Sequence, residues 1–224
     1  MTRVPLEKKV LSENDRIAAT LREAYAAHGV LCLNLISSPG SGKTSLLERT
    51  LEGFSAGARV ALLTGDIQTD NDARRLARFG YPVKQITTAG ACHLDARMVE
   101  TALAGWSLAD FDLLLVENVG NLVCPTSYDL GERAKIVLLS VTEGEDKPLK
   151  YPHIFLESTA LVVNKIDLLP YCDCDLGRLK EAALRINPRL RIFELSCRSG
   201  EGLGAWYDWL RERVAARARP EAAE

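Results

Sequence analysis

Leu31-Cys32-Leu33-Asn34-Leu35-Ile36-Ser37-Ser38-Pro39-Gly40-Ser41-Gly42-Lys43-Thr44-Ser45-Leu46-Leu47-Glu48 decides how this chain folds. A short, almost unbroken apolar run stops at Ser-Ser-Pro-Gly and gives way to a helical pattern, SLLERTLEGF, so strand, loop and helix follow one another within a few residues. A glycine-rich loop feeding a helix start offers consecutive backbone N–H groups and the positive end of a helix dipole, which together suit phosphate. Gly40 and Gly42 let the backbone approach the anion, with Ser41 and Ser45 beside them; Lys43 would contact the β and γ phosphates and Thr44 would ligate Mg2+. One position departs from the strict spacing: Ser37 stands where the pattern asks for glycine, so the match is SxxxxGKT.

Working outward, further apolar runs recur at RVALLT (59–64), PVKQIT (82–87), DLLLVEN (112–118), KIVLLSV (135–141), ALVVNK (160–165) and RIFELS (191–196), with helical patterns between several of them. Continuously hydrophobic strands alternating with helices predict a P-loop NTPase of the doubly wound α/β class: a mostly parallel sheet with helices on both faces. Ile17, Leu21 and Tyr25 predict an amphipathic helix over 12–29, starting near Ser12 or Asn14, so 1–29 reads as a helical extension ahead of a domain at 30–218. GLGAWYDWLRERVAARA reads as the closing helix and 219–224 as a tail.

Asn164-Lys165-Ile166-Asp167 follows the apolar ALVV, about 120 residues after Lys43. A carboxylate at Asp167 accepts both N1–H and N2–H of guanine, a pair that adenine lacks, and the Asn164 amide reaches the opposite edge, so GTP is the expected nucleotide. Ser196 opens SCRSG after the last strand and either closes over the base or makes a plain turn. Carboxylates at strand ends supply what hydrolysis needs, a held metal and an oriented water. Glu117 is the stronger candidate; Asp66, Asp70 and Asp72 are too close together to rank by spacing, and each is equally a helix cap.

The 224 residues, 47% hydrophobic and 26% charged, are enough for one well-buried core. A net charge of -2 argues against nucleic acid as partner, and no apolar run approaches the roughly 18 residues needed to span a bilayer. With no secretory signal pattern, the expected location is cytoplasmic. The six cysteines are irregularly spaced, which in a reducing compartment reads as core, metal or catalytic thiols. Cys92-His93 after the third strand and Cys124 after the fourth suit Ni2+ or Zn2+ in ligand type, yet they leave a tetrahedral site open unless a second subunit contributes. The alternative makes the two cysteines small buried hydrophobes and His93 a helix-start residue. Cys32 reads as core, Cys172 and Cys174 as loop thiols, His28 as a helix end and His153 as a loop residue.

Taken together, SSPGSGKTSLLE, GDIQTDNDARR, TTAGACHLDA, ENVGNLVCP, GEDKPLKYP and NKIDLLPY resemble the HypB family of hydrogenase nickel-incorporation GTPases over residues 9 to 210. The resemblance implies a slow GTPase that assists nickel insertion into the large subunit of a NiFe hydrogenase, forms a GTP-dependent homodimer and works with a HypA-like nickel/zinc accessory protein. It places Lys43 and Thr44 at the phosphate and Mg2+, Asp72 and Glu117 near the Mg2+, Asn164 and Asp167 at guanine, and Cys92, His93 and Cys124 at a metal site shared across the dimer. Residues 1–31 hold only His28 and no cysteine, so neither the N-terminal cysteine motif nor the histidine-rich stretch of some family members stands there. Two rivals remain: a urease-type nickel maturation GTPase, whose Cys-Pro-His cluster differs from the split arrangement here, and a nucleotide-gated metal-binding protein whose hydrolysis is incidental.

Overall fold

Every apolar run of the sequence becomes a strand of one sheet. The computed structural model describes residues 6–54, 57–66 and 70–216, with only the backbone for 6–9. The seven strands run β1 Leu31–Ser37, β2 Val60–Asp66, β3 Val83–Thr87, β4 Leu113–Gly120, β5 Ala134–Ser140, β6 Ser158–Asn164 and β7 Arg191–Glu194. All their pairings are parallel, in the order β3-β2-β4-β1-β5-β6-β7, so β1 lies at the centre between β4 and β5. This is a P-loop NTPase-like fold, as the alternation of strands and helices predicts.

The alternation of side chains across a pleated strand divides the core between two faces. Leu33 and Leu35 of β1 pack with α2 (Lys43–Gly53), α3 (Asn71–Ala77) and α8 (Leu203–Ala216). Cys32 and Ile36 face the other way, towards α1 (Leu6–His28), α4 (Ala96–Leu103), α6 (Pro152–Glu157) and α7 (Leu176–Ile186). The short α5 (Lys147–Lys150) lies between β5 and α6. Burial on both faces is why the inner strands read as nearly unbroken apolar runs, whereas the edge strands β3 and β7 are partly exposed and carry Lys84, Gln85, Arg191 and Glu194.

α8 closes the first face with Trp206, fully buried, whose Nε1–H donates to Thr50 Oγ1 at 2.9 Å. On the second face α1 buries Ile17, Ala18, Leu21 and Tyr25 in the same cluster as β2 and β4. It begins at Leu6, ahead of the expected Ser12 or Asn14, so Asn14 does not cap it. The buried Asn14 amide instead donates to Asp129 O at 2.9 Å and accepts Ala96 N–H at 2.8 Å, tying α1 to α4. His153 sits in α6, not in a loop, because Pro152 at the first helical position starts a helix there. The closing helix is described to Ala216, and the predicted tail 219–224 lies outside the described residues. No described helix is long and apolar enough to cross a membrane.

Candidate functional site

The carboxyl ends of β1, β2 and β4 surround a cavity of about 570 Å³, lined by the phosphate loop, Asp66, Asp72, Arg75 and Glu117. Gly42 caps α2 at φ 103°, and a Cβ there would meet Asn164 Nδ2 at 2.4 Å, so glycine is required by both backbone and space. Asn164 holds this close approach: its Nδ2 donates to Ser41 O at 2.9 Å, and its Oδ1 accepts the N–H of Lys165 at 2.7 Å and of Cys197 at 3.1 Å. Ser41 Oγ in turn donates to Glu143 Oε1 at 2.6 Å.

Lys43 and Glu117 are both buried, at 9% and 3% exposure. Lys43 Nζ donates to Ser37 Oγ at 2.8 Å, and Thr44 Oγ1 donates to Glu117 Oε1 at 2.8 Å. Glu117 Oε2 is buried with no hydrogen-bond partner. Burial lowers the Lys43 pKa, against the pull of Glu117, Asp72, Glu143 and Asp66. Burial also pushes the Glu117 carboxyl up to about 7, against Lys43 and the Thr44 hydroxyl.

Next to the phosphate cavity, Gly42, Asn164, Lys165, Asp167 and Arg198 line a second one of about 250 Å³. Asp167 Oδ1 accepts the Ser196 hydroxyl at 2.5 Å, and Ser196 Oγ receives the N–H groups of Arg198 at 3.1 Å and Ser199 at 3.0 Å. Lys165, at φ 64°, turns its ammonium back to Gly40 O at 2.8 Å. Ser196 therefore both turns the loop and orients the carboxylate.

Cys92, His93 and Cys124 converge, with one ligand atom of each within 4.8 Å of the others, and all three are partly exposed. They come from two loops, after β3 and after β4. The His93 ring stacks on Tyr128 with centroids 3.7 Å apart, and burial lowers its pKa. A hydrogen bond with Cys124, and then burial, raise the Cys92 pKa.

Comparison with known proteins identifies the family. Residues 31–194 match the family model described as CobW/HypB/UreG, nucleotide-binding domain. A hydrogenase maturation factor HypB from Azotobacter vinelandii is 49% identical over 214 residues, 96% of this chain and 71% of that protein. The chain belongs to the HypB family. Among solved structures, HypB from Helicobacter pylori in complex with nickel matches with TM-score 0.86 and 39% identity, covering 95% of this chain and 100% of that one. Hydrogenase maturation factor HypB from Archaeoglobus fulgidus matches with TM-score 0.85 and 40% identity, covering 91% and 99%.

Of the residues singled out in this HypB-family sequence, the phosphate loop, Asp66, Asp72 and Glu117 border one cavity; Asn164, Asp167 and Ser196 gather on its flank. Asp70 is the residue that precedes α3, and Asp72 lies in the first turn of that helix. His93 precedes the α4 cap, Asp95, so it does not start that helix. Cys172 and Cys174 lie between the 3-10 helix Ile166–Tyr171 and α7.

Sequence reasoning missed Arg75, Tyr128 and Asn118. Arg75 borders the phosphate cavity, paired with Glu48 at 2.6 Å and Asp72 at 3.5 Å. Its spacing from Asp72, one helical turn on, was the available signal. Tyr128 and Asn118 meet partners distant in sequence, and their local patterns carry no sign of it.

Proposed function

We propose that this chain binds and hydrolyses GTP with Mg2+, and that the nucleotide state gates a nickel or zinc site completed by a second copy of the chain, in the service of nickel insertion into a NiFe hydrogenase. The observation that carries this reading is the convergence of Cys92, His93 and Cys124, with Cys124 following the same strand, β4, whose Glu117 is the buried carboxylate of the phosphate cavity. The Helicobacter pylori relative was solved in complex with nickel. A HypA-like accessory protein and the hydrogenase large subunit are the proposed partners, in the cytoplasm.

The residues fit Mg2+. Glu117 Oε2 is an orphaned buried oxygen, which a native core seldom leaves, and Thr44 Oγ1 lies on its sister oxygen at 2.8 Å. When bound, Mg2+ neutralises charge developing on the transferred phosphoryl group. Lys43 would exchange its hydrogen bond with Ser37 for phosphate oxygens, and Thr44 Oγ1 with Glu117 would be the residues that hold the metal. Asp66 and Asp72 border the same cavity and supply carboxylates that orient water. Asp167, fixed by Ser196, accepts the N1–H and N2–H of guanine, while Asn164 keeps the loop against the base.

Three ligands do not fill the four-coordinate site that thiolates and imidazole form around Zn2+, so the cargo ion needs a donor from outside the chain. A second copy supplies the same set across a two-fold axis. The test is nickel and zinc titration with sedimentation on the same samples, for wild type and Cys92→Ala, without nucleotide, with GDP and with a non-hydrolysable GTP analogue. One metal per two chains, lost in Cys92→Ala and bound with different affinity in the GDP and analogue states, is expected. Metal binding that ignores the nucleotide, or survives Cys92→Ala, sinks the reading.

A further inference from the structure

The metal set has a topological difficulty. Cys124 follows β4 directly, but Cys92 and His93 follow β3, and β2 lies between β3 and β4 in the sheet. No ladder joins β4 to the Cys92-His93 loop directly; the backbone path runs through β2. The chain bridges the gap with side chains. Leu94 lies over Gly65 of β2, where a Cβ would meet its side chain at 2.8 Å, and so brings its backbone within reach of β4.

There the Leu94 N–H donates to Asn118 Oδ1 at 3.1 Å. Asn118 is 1% exposed and follows Glu117 in the chain. The same oxygen accepts Val119 N–H at 2.9 Å, so one atom holds both the end of β4 and the residue after His93. Its amide nitrogen donates to Asn34 Oδ1 at 3.2 Å, and Asn34 Nδ2 donates to Glu132 Oε1 at 3.1 Å. A buried polar chain of this kind, every member satisfied, fixes geometry that apolar packing leaves loose. Asn121 Nδ2 adds a longer contact, 3.3 Å, to Cys92 O.

We infer that Asn118 is a positioning residue that couples the phosphate site to the metal site, by making the Cys92-His93 loop move with the end of β4. The inference rests on the nucleotide-gated reading above. Cys124 follows Glu117 through the backbone; His93 follows it through Asn118. Both halves of the ligand set then shift together when Thr44 leaves Glu117, and without Asn118 the Cys92-His93 loop keeps only the longer Asn121 contact. Coupling acts in both directions, so nickel also biases nucleotide affinity through the same amide.

The experiment compares nickel affinity in the GDP and GTP-analogue states for wild type, Asn118→Leu and Asn118→Asp, with thermal unfolding of each sample. In wild type the ratio of the two affinities is expected at about 5-fold or more, the usual range of allosteric coupling. Asn118→Leu keeps the volume and brings the ratio close to one; Asn118→Asp keeps the oxygen that receives Leu94 N–H and keeps most of the ratio. A purely structural Asn118 predicts a lowered melting temperature with the wild-type ratio intact, and that result overturns the inference while leaving the gated site standing. A wild-type ratio of one overturns both. Amide exchange in the wild-type chain needs no variant: the Leu94 N–H exchanges at different rates in the two nucleotide states, and equal rates exclude the coupling.

Discussion

In the phosphate site Lys43 and Glu117 are nearly inaccessible, and Ser41, Thr44 and Asn164 already hold protein partners at hydrogen-bond distance. In the candidate metal site Cys92, His93 and Cys124 are partly exposed, and the set stops at three among the described residues. Both lie at the carboxyl end of one parallel sheet, where crevices form between diverging connections. The difference lies in what each awaits. One chain brings together the groups that line the phosphate cavity, and most of them are buried and paired in advance, with Glu117 Oε2 left as the buried oxygen that has no hydrogen-bond partner. On the proposed reading, the Cys92-His93 and Cys124 segments stay open because part of the coordination comes from a second copy of the chain.

Lys43→Ala tests this contrast with the largest expected effect. Removing the one buried ammonium in contact with the loop is expected to weaken GTP binding on the order of 100-fold or more, since truncating one partner of a desolvated charge contact costs several kcal/mol. Nickel affinity in the absence of nucleotide should stay at the wild-type value. A fluorescent nucleotide titration beside a nickel titration measures both, and a joint loss would mean that the two sites are one folding unit.

The reverse substitution is Cys124→Ala. Loss of a thiolate donor is expected to lower nickel affinity by about 10- to 100-fold, no less than changes in groups that merely support a ligand. GTP affinity in metal-free buffer should not change. If it does, the metal loop is already part of the nucleotide site.

Glu117 sets a smaller effect, through pH. Its carboxyl has a pKa of about 7 in the fold, above the ordinary 4.5, because burial disfavours the charge. A raised carboxyl stabilises the fold fully at pH below its unfolded value, and that contribution is lost as pH rises through about 7. Nucleotide-free wild type should therefore lose up to roughly 3 kcal/mol of stability between pH 5 and 8 that Glu117→Gln does not lose. Urea unfolding across that range gives the difference directly. Parallel curves for the two proteins would show that the carboxylate is not held at a cost.

The same contrast governs what could be read from the residues alone. All seven strands were legible: the five inner ones because burial on both faces writes an apolar run into the chain, the partly exposed edge strands β3 and β7 by their place in the alternation with helices, and SxxxxGKT carried its own strand-loop-helix context. Cys92-His93 and Cys124 were legible as candidate ligands, and the fold brings them together. What stayed hidden depends on partners far apart in sequence: Tyr128 under His93, Asn34 with Asn118, and Asn14 between Asp129 and Ala96. Asn34 was visible as a polar interruption within LCLNLI, but an isolated amide in a strand does not say which strand it answers. The early start of α1 escaped for a different reason. Ser12 and Asn14 are good cap residues by type, yet Asn14 spends its amide on tertiary contacts, and the helical pattern continues back to Leu6.

Ser37 gives the smallest expected effect and shows how the phosphate site is kept in order without its ligand. The strict motif has glycine at this place, but Ser37 is not among the described residues with positive φ, so no backbone strain demands glycine. Its hydroxyl donates to Ser38 O at 2.6 Å and accepts Lys43 Nζ at 2.8 Å, which gives the buried ammonium a neutral partner before phosphate arrives. Ser37→Gly removes that partner and adds backbone freedom to the unfolded chain. The nucleotide-free protein should lose about 1 kcal/mol, and GTP should bind a few-fold more tightly because Lys43 no longer has a hydrogen bond to give up. Urea unfolding and nucleotide titration on the same preparation separate the two effects. Lower stability with weaker GTP binding would show instead that Ser37 holds Lys43 in its binding position, and the phosphate site would then be preorganised by this serine where other chains use glycine.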